Sequence, residues 1–440
     1  PPTIRRHIFL RPGVLRVLIS RSGRRGSCER VYLSLRRLRT LLDERAMLPD
    51  ETVRRKIDVL TTLKTFLDES AALGNSTSAL RRIVELGESV RGSGVVQRLE
   101  QILDFESNLA TVEVRLVLAA DGKIRDFELL RAKENTLNPH VRSAWSRFFT
   151  RLRAWIRGYR YGENEVLLKV IDEVFEDLED LVLPCFRLVG QLEVYLAALG
   201  FRTVARQQGL QTCLAEMSSD EPAAMERLFN PLLFLQRVQP VPCDLAPKHP
   251  DGLVLVTGPN SGGKTRLLQA IGIAQLLGQG GFYVPAASAR LVPAPGMFLS
   301  LIETGRADQS EGRLGTELRR VRRLFETLRP GALVILDELC SGTNPGEGIA
   351  IFELVLSLLP RARPQVFLTT HFLDAARALE QDALVERLEF LPVELDGERP
   401  TYQFVPGVAP TSLASQVASR LGVTREELEK LLDARLKLEE

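Results

Sequence analysis

The stretch that most constrains this chain is an apolar strand, Leu253-Val-Leu-Val-Thr257, running into Gly258-Pro259-Asn260-Ser261-Gly262-Gly263-Lys264-Thr265 and then a helical run to Leu277. The octapeptide has the spacing G-x-x-x-x-G-K-T, and its strand-before, helix-after context turns the pattern into evidence. Glycines let a backbone wrap phosphates with its N–H groups turned inward. The following helix offers its N-terminus to the anion. On this reading Gly258 to Thr265 bind a nucleotide, Lys264 reaches the β- and γ-phosphates, and the Thr265 hydroxyl ligates Mg²⁺. A Gly-rich turn with a solvated lysine is the bland alternative, and a second motif weighs against it.

That motif is Leu333-Val-Ile-Leu336-Asp337-Glu338. Four apolar residues predict a buried strand whose end sets two carboxylates beside a metal. Asp337 is then a Mg²⁺ ligand through water, and Glu338 the catalytic group that polarises the attacking water. Thr369-Thr370-His371 ends another apolar strand, where His371 is a candidate to sense the γ-phosphate. The catalytic candidates are therefore Glu338, Lys264 and His371, and the metal candidates Thr265 and Asp337.

Strand-like and helical runs alternate from about residue 230: Leu253–Thr257 and Lys264–Leu277, Leu333–Leu336 and Ile349–Leu359, Val366–Thr370 and Phe372–Leu379. Such alternation predicts an α/β domain with a mostly parallel sheet covered by helices. Helices at Thr411–Leu421 and Arg425–Leu438 close the chain. The first half reads as helical. Leu167, Ile171, Val174, Leu178, Leu181, Cys185, Leu188, Leu192, Tyr195 and Leu199 form a 3.5-residue apolar stripe, with Pro184 expected to kink or divide it. Val53, Ile57, Leu60 and Leu67 fit another helical face. Alternation around Asp121-Gly122, from Val112 to Leu130, predicts a small hairpin inside this half.

Hydrophobic residues make up 45% of the 440, ample for two or three domains, and a net charge of +2 argues neither for nor against nucleic acid. Between Arg5 and Arg39 eleven arginines face one acid, Glu29. A phosphate-binding arm, an organelle-targeting peptide and a poorly ordered extension all fit that composition. Cys28, Cys185, Cys213, Cys243 and Cys340 form no C-x-x-C pair, which fits a reducing, cytoplasmic setting and argues against disulfides or zinc. No apolar run approaches the roughly 20 residues of a bilayer span, so a soluble protein with no membrane partner is expected.

The same residues resemble a known family. Thr257-Gly-Pro-Asn-Ser-Gly-Gly-Lys-Thr265 resembles the P-loop of MutS proteins, and Gly281-Phe-Tyr-Val-Pro-Ala286 the tract after its helix. Leu336-Asp-Glu-Leu-Cys-Ser-Gly342-Thr343 is similar to the family's Walker B segment, and Thr370-His371-Phe372 to its histidine motif. Asn230-Pro231 and Val241-Pro-Cys-Asp244 look like the lead-in to the P-loop, and Pro406–Glu440 like the helical dimerisation tail. The resemblance covers roughly residues 228–440. It implies a P-loop ATPase domain using ATP and Mg²⁺, a homodimer through that domain, DNA as a partner, and a nucleoid-associated setting. The organisation it implies is a basic extension (1–40), a helical core and lever domain (41–227) and the ATPase domain (228–440).

Three departures temper it. Nothing resembles the Phe-x-Glu mismatch reader, so mismatch discrimination is not expected, and branched or duplex DNA is the expected ligand. Ser310-Glu-Gly312-Arg-Leu-Gly-Thr316 stands where the family has a Ser-Gly-Arg-Ser-Thr loop reaching the partner's ATP; Ser310 and Gly312 are candidates for that trans contact, but Glu311 at the first serine position and Leu314 or Gly315 near the second depart from it. Asn344-Pro-Gly-Glu347-Gly348 is closer to the branch with a C-terminal nuclease domain, which this sequence is expected to lack. Another ABC-class ATPase, or a nucleotide-switched interaction module without DNA binding, remain alternatives. The run Arg319-Arg320-Val-Arg322-Arg323 reads as a solvated helix face.

Overall fold

Strands buried on both faces have to be covered on both faces, and the architecture of the C-terminal half follows from that need. A computed structural model describes residues 2–20, 22–43, 51–74, 80–92, 112–118, 124–132, 186–259, 261–301, 312–339, 345–370, 372, 375, 378, 387–397, 399–407 and 424–436. The described helices of eight or more residues are α1 (Pro2–Ser20), α2 (Ser22–Asp43), α3 (Glu51–Ala71), α4 (Arg81–Gly92), α5 (Phe186–Gln207), α6 (Lys264–Gln279), α7 (Gly312–Thr327), α8 (Pro345–Leu358) and α9 (Arg425–Leu436). The chain separates into two compact units, one made of Pro1–Pro12 with Ala198–Glu440 and the other of Gly13–Ala197. The division thus falls inside two helices, α1 and α5.

In the smaller unit α2, α3 and α4 pack on one another around Leu35, Leu38, Leu60, Leu63, Phe66 and Leu67, each at most 2% exposed. Gly87 lets α4 lie close to α3, because a Cβ there would come within 2.3 Å of the Ser70 hydroxyl. The Arg-rich start is therefore helical over Pro2–Ser20 and Ser22–Asp43, in contrast to an extension without structure. Its arginines are spaced so that Val14, Leu15, Leu18, Val31, Leu35 and Leu38 share buried faces. β1 (Val112–Leu118) and β2 (Ile124–Ala132) pair antiparallel, with Leu116 opposite Phe127. Asp121-Gly122, Pro184 and the stripe from Leu167 to Cys185 lie outside the described residues.

One sequence expectation is corrected by α5. Its 22 residues are long and apolar enough, by length and composition alone, to cross a membrane. Val189, Leu192, Leu199 and Ala205 are buried, Val194 and Val204 are exposed, and Arg187, Glu193, Arg202 and Arg206 interrupt the helix surface with charge.

The larger unit is built on a six-stranded sheet. Short strands precede it: β3 (Cys213–Leu214), β4 (Glu216–Met217), β5 (Ala224–Leu228) and β6 (Cys243–Leu245). The rest are β7 (Leu253–Thr257), β8 (Tyr283–Val284), β9 (Ser288–Leu291), β10 (Met297–Ser300), β11 (Leu333–Leu336), β12 (Gln365–Thr369), β13 (Leu388–Asp396) and β14 (Arg399–Phe404). The sheet order is β10-β11-β12-β7-β13-β14, parallel from β10 to β13, with β14 antiparallel at the edge. Val254 and Val256 face α6 with Leu267, Leu268, Ile271 and Ala274, while Leu253 and Leu255 face α8 with Phe352, Val355 and Leu356. Two helical layers thus sandwich the sheet. β4, β9, β5 and β6 form a second sheet in that order. Thr411–Leu421 and most of Phe372–Leu379 lie outside the described residues.

Candidate nucleotide site

Parallel pairing of β7, β12 and β11 brings the chain segments after all three strands to one edge of the sheet, where such folds take ligands. After β7 the backbone turns through Gly258 at φ +132° and enters α6 through Gly263 at φ +83°. Both angles lie in the range that favours glycine. The loop is also tightly braced. A Cβ on Gly258 would meet Val393 of β13 at 2.8 Å, and one on Gly262 would meet the same side chain at 3.0 Å. A Cβ on Gly263 would lie 3.1 Å from the Tyr402 ring of β14. Pro259, Ser261 and the other loop residues are described, whereas Asn260 lies outside the described residues.

Lys264 opens α6, is only 4% exposed, and donates from Nζ to the carbonyls of Gly258 at 2.9 Å and Pro259 at 3.0 Å. Burial pulls its ammonium pKa down, and the carboxylates of Glu338 and Asp337 partly oppose that pull. An ammonium ringed by loop carbonyls at a helix N-terminus is a charge held ready for an anion.

The Thr265 hydroxyl donates to Asp337 Oδ2 at 2.8 Å. The Thr369 hydroxyl donates to Asp337 Oδ1 at 2.7 Å and accepts the Glu338 N–H at 2.8 Å. Asp337 is thus held at both oxygens and 6% exposed, and Glu338 follows it at φ +50°. A threonine hydroxyl touching a buried carboxylate, next to a lysine, is a donor set of hard oxygens suited to Mg²⁺ beside a phosphate. The structure therefore brings Lys264, Thr265 and Asp337 together, with Glu338 adjoining. His371 and Ser310 lie outside the described residues, and Gly312 is the first residue of α7.

Beside the loop lies a cavity of about 400 Å³ whose lining includes Lys264, Thr265, Phe229, Val241, Tyr402 and Phe404. Asn230 forms part of its wall. Its amide donates to the Arg266 carbonyl at 3.0 Å and to Gln269 at 2.9 Å, while its oxygen accepts the Leu232 N–H at 2.9 Å. That side chain ties the turn Pro231–Gln236 to the first turns of α6. Sequence reasoning singled out neither Tyr402 nor Val393. They reach the loop only through pairing of β13 with β7, and no local pattern marks them.

Residues 254–439 match the model of MutS domain V. Over 270 residues the chain is 26% identical to the endonuclease MutS2 of Fusobacterium nucleatum, covering 61% of this chain and 33% of that protein. It is 28% identical to the endonuclease MutS2 of Thermus thermophilus over 277 residues, covering 62% and 36%. For that of Carboxydothermus hydrogenoformans the identity is 29% over 275 residues, covering 61% and 34%. The chain therefore spans about a third of the length of the curated relatives it matches.

Proposed function

Because its domain V makes this chain a member of the MutS family, we propose that it is an ATP-hydrolysing, DNA-handling protein of the MutS type, acting as a dimer in repair or recombination. The observation that carries the ATPase reading is the Thr265–Asp337 hydrogen bond at the mouth of a loop whose lysine is buried. In this reading the loop N–H groups and Lys264 bind the phosphates, and Thr265 and Asp337 hold Mg²⁺. The metal, when bound, neutralises phosphate charge. Glu338 orients and polarises the attacking water, and His371 contacts the γ-phosphate. The nucleoside occupies the cavity beside the loop, with its base against Tyr402. Glu338→Gln should keep ATP affinity within about threefold while losing on the order of a hundredfold in turnover, the scale of a positioned general base. Near-normal hydrolysis by that variant would remove Glu338 from the chemistry.

Dimerisation is supported by α9, where Leu428 and Leu431 are 48% and 62% exposed, and by the likeness of residues 406–440 to the family's dimerisation tail. The partner's Ser310–Thr316 loop, Gly312 included, would complete the ATP site. Deleting residues 406–440 should shift sedimentation with ATP and Mg²⁺ toward monomer; an unshifted dimer would place the interface elsewhere. The relatives are endonucleases by name, a property of those proteins. Residues 41–227 would serve as core and lever helices, and the protein would work in the cytoplasm on nucleoid DNA with no membrane partner. DNA affinity would come from phosphate contacts and shape, with steep salt dependence and branched structures preferred. A G·T mispair preferred tenfold over its homoduplex would overturn that. The departures at Glu311 and Leu314 favour one second reading, a nucleotide-switched interaction module. Absence of any salt-dependent DNA binding would select it.

A further inference from the structure

We propose that Thr369 is a positioning residue of the phosphate site, holding the adjacent carboxylates Asp337 and Glu338 in the arrangement that lets each do a different task. The proposal deepens the ATPase reading and rests on it.

Two neighbouring residues on an extended strand point to opposite faces. A strand that simply continued through Asp337 and Glu338 would therefore present one carboxylate to the P-loop and turn the other away. The chain does not simply continue as a strand there. The backbone makes this change of direction at Glu338, which takes φ +50°. That left-handed conformation is strained for a residue with a Cβ, so something must hold it.

Thr369 is placed to do so. It ends β12, beside β11, and pairing of Leu336 with Leu368 puts Thr369 next to Asp337 across the sheet. Its side chain is fully buried. One hydroxyl makes two bonds of opposite sense, donating to Asp337 Oδ1 at 2.7 Å and accepting the Glu338 N–H at 2.8 Å. The first bond, with that from Thr265 to Oδ2, fixes Asp337 from both sides. The second fixes the left-handed turn. Both demands need a hydroxyl, which valine of the same shape lacks and serine retains.

The test uses the full chain with Thr369→Val and Thr369→Ser, read by ATP turnover, by thermal midpoint, and by binding of a fluorescent ATP analogue with and without Mg²⁺. T369V should lose about tenfold or more in turnover, on the scale expected when reacting groups are slightly misplaced. It should bind the analogue without Mg²⁺ within about threefold of the parent and lose most of the affinity that Mg²⁺ adds. T369S should keep both properties within about threefold. A merely structural role would lower the thermal midpoint without removing the Mg²⁺-dependent gain. If T369V does not fold, Thr369→Ala takes its place against T369S with the same expectation. T369V at parental turnover beside an inactive E338Q, or T369S as impaired as T369V, overturns the role of Thr369. Parental protein that binds no ATP, or E338Q at normal turnover, overturns the ATPase reading instead.

Discussion

Gly258 occupies a position where backbone angle and space agree. At φ +132° a Cβ is strained, and it would also meet Val393 at 2.8 and 2.9 Å. Val393 belongs to a strand backbone that cannot easily retreat. Gly258→Ala should therefore destabilise the domain by about 1–3 kcal/mol. It should also weaken nucleotide binding by tenfold or more, because the carbonyl of residue 258 is one of the two that hold the Lys264 ammonium. Chemical denaturation together with nucleotide titration measures both, and an alanine variant that binds normally would show that the loop tolerates the displacement. The glycine itself was legible in the sequence, since the octapeptide demands it. Its brace was not, because Val393 stands far along the chain and only strand pairing brings it near.

The element that joins the candidate nucleotide site to the rest of its unit is α6. Its N-terminus carries Lys264 and Thr265, and its C-terminal end is met by Arg11 of α1, whose Nη1 donates to the Gly280 carbonyl at 3.0 Å. The guanidinium also lies 4.8 Å from the centroid of the Phe282 ring. A cation at a helix C-terminus and a cation over an aromatic face each contribute on the order of 0.5–1 kcal/mol. Arg11→Ala should thus lower stability by about 1 kcal/mol, and Arg11→Lys should recover only part of it, lacking the planar stack. Urea denaturation of the three proteins decides the matter; equal midpoints would mean the contact contributes nothing in solution. Arginine-rich composition left three readings of the N-terminus open. What places Arg11 is the buried apolar face threaded between the arginines, which composition does not register.

At the scale of the whole molecule, three of the described residues, Cys28, Cys213 and Cys243, report burial. Desolvation pushes the thiols of Cys28 and Cys213 up to about 11 and that of Cys243 up to about 12, with the neighbouring Glu29 and Asp244 adding to the shift at Cys28 and Cys243. A raised folded pKa means that the unfolded chain releases these protons first. The stabilisation is complete below the ordinary thiol value of 9.0 and is lost as pH rises toward about 11 to 12. Denaturation midpoints should therefore fall from pH 9 upward, and replacing all three cysteines by alanine should flatten that slope. If the triple variant falls as steeply as the parent, lysines and tyrosines titrating in the same window account for the loss.

Local chemistry was what the sequence by itself determined: the strand, loop and helix from Leu253 to Gln279, the acidic strand end at Asp337 and Glu338, and the parallel α/β class. Each is written in contiguous residues, because a phosphate loop needs fixed spacing and a doubly covered strand needs an unbroken apolar run. Tertiary structure alone decided the order β10-β11-β12-β7-β13-β14. An apolar strand such as Leu333–Leu336 fits beside any other, and its neighbours are chosen by the packing of whole faces. From that choice come the approach of Val393 and Tyr402 to the loop, the hold of Thr369 on Asp337 and Glu338, and the cap of Arg11 on α6. The partition at Pro12 and Ala197 has the same origin. A helix such as α5 carries one continuous apolar pattern, and only the surfaces it meets determine where one unit stops and the next begins.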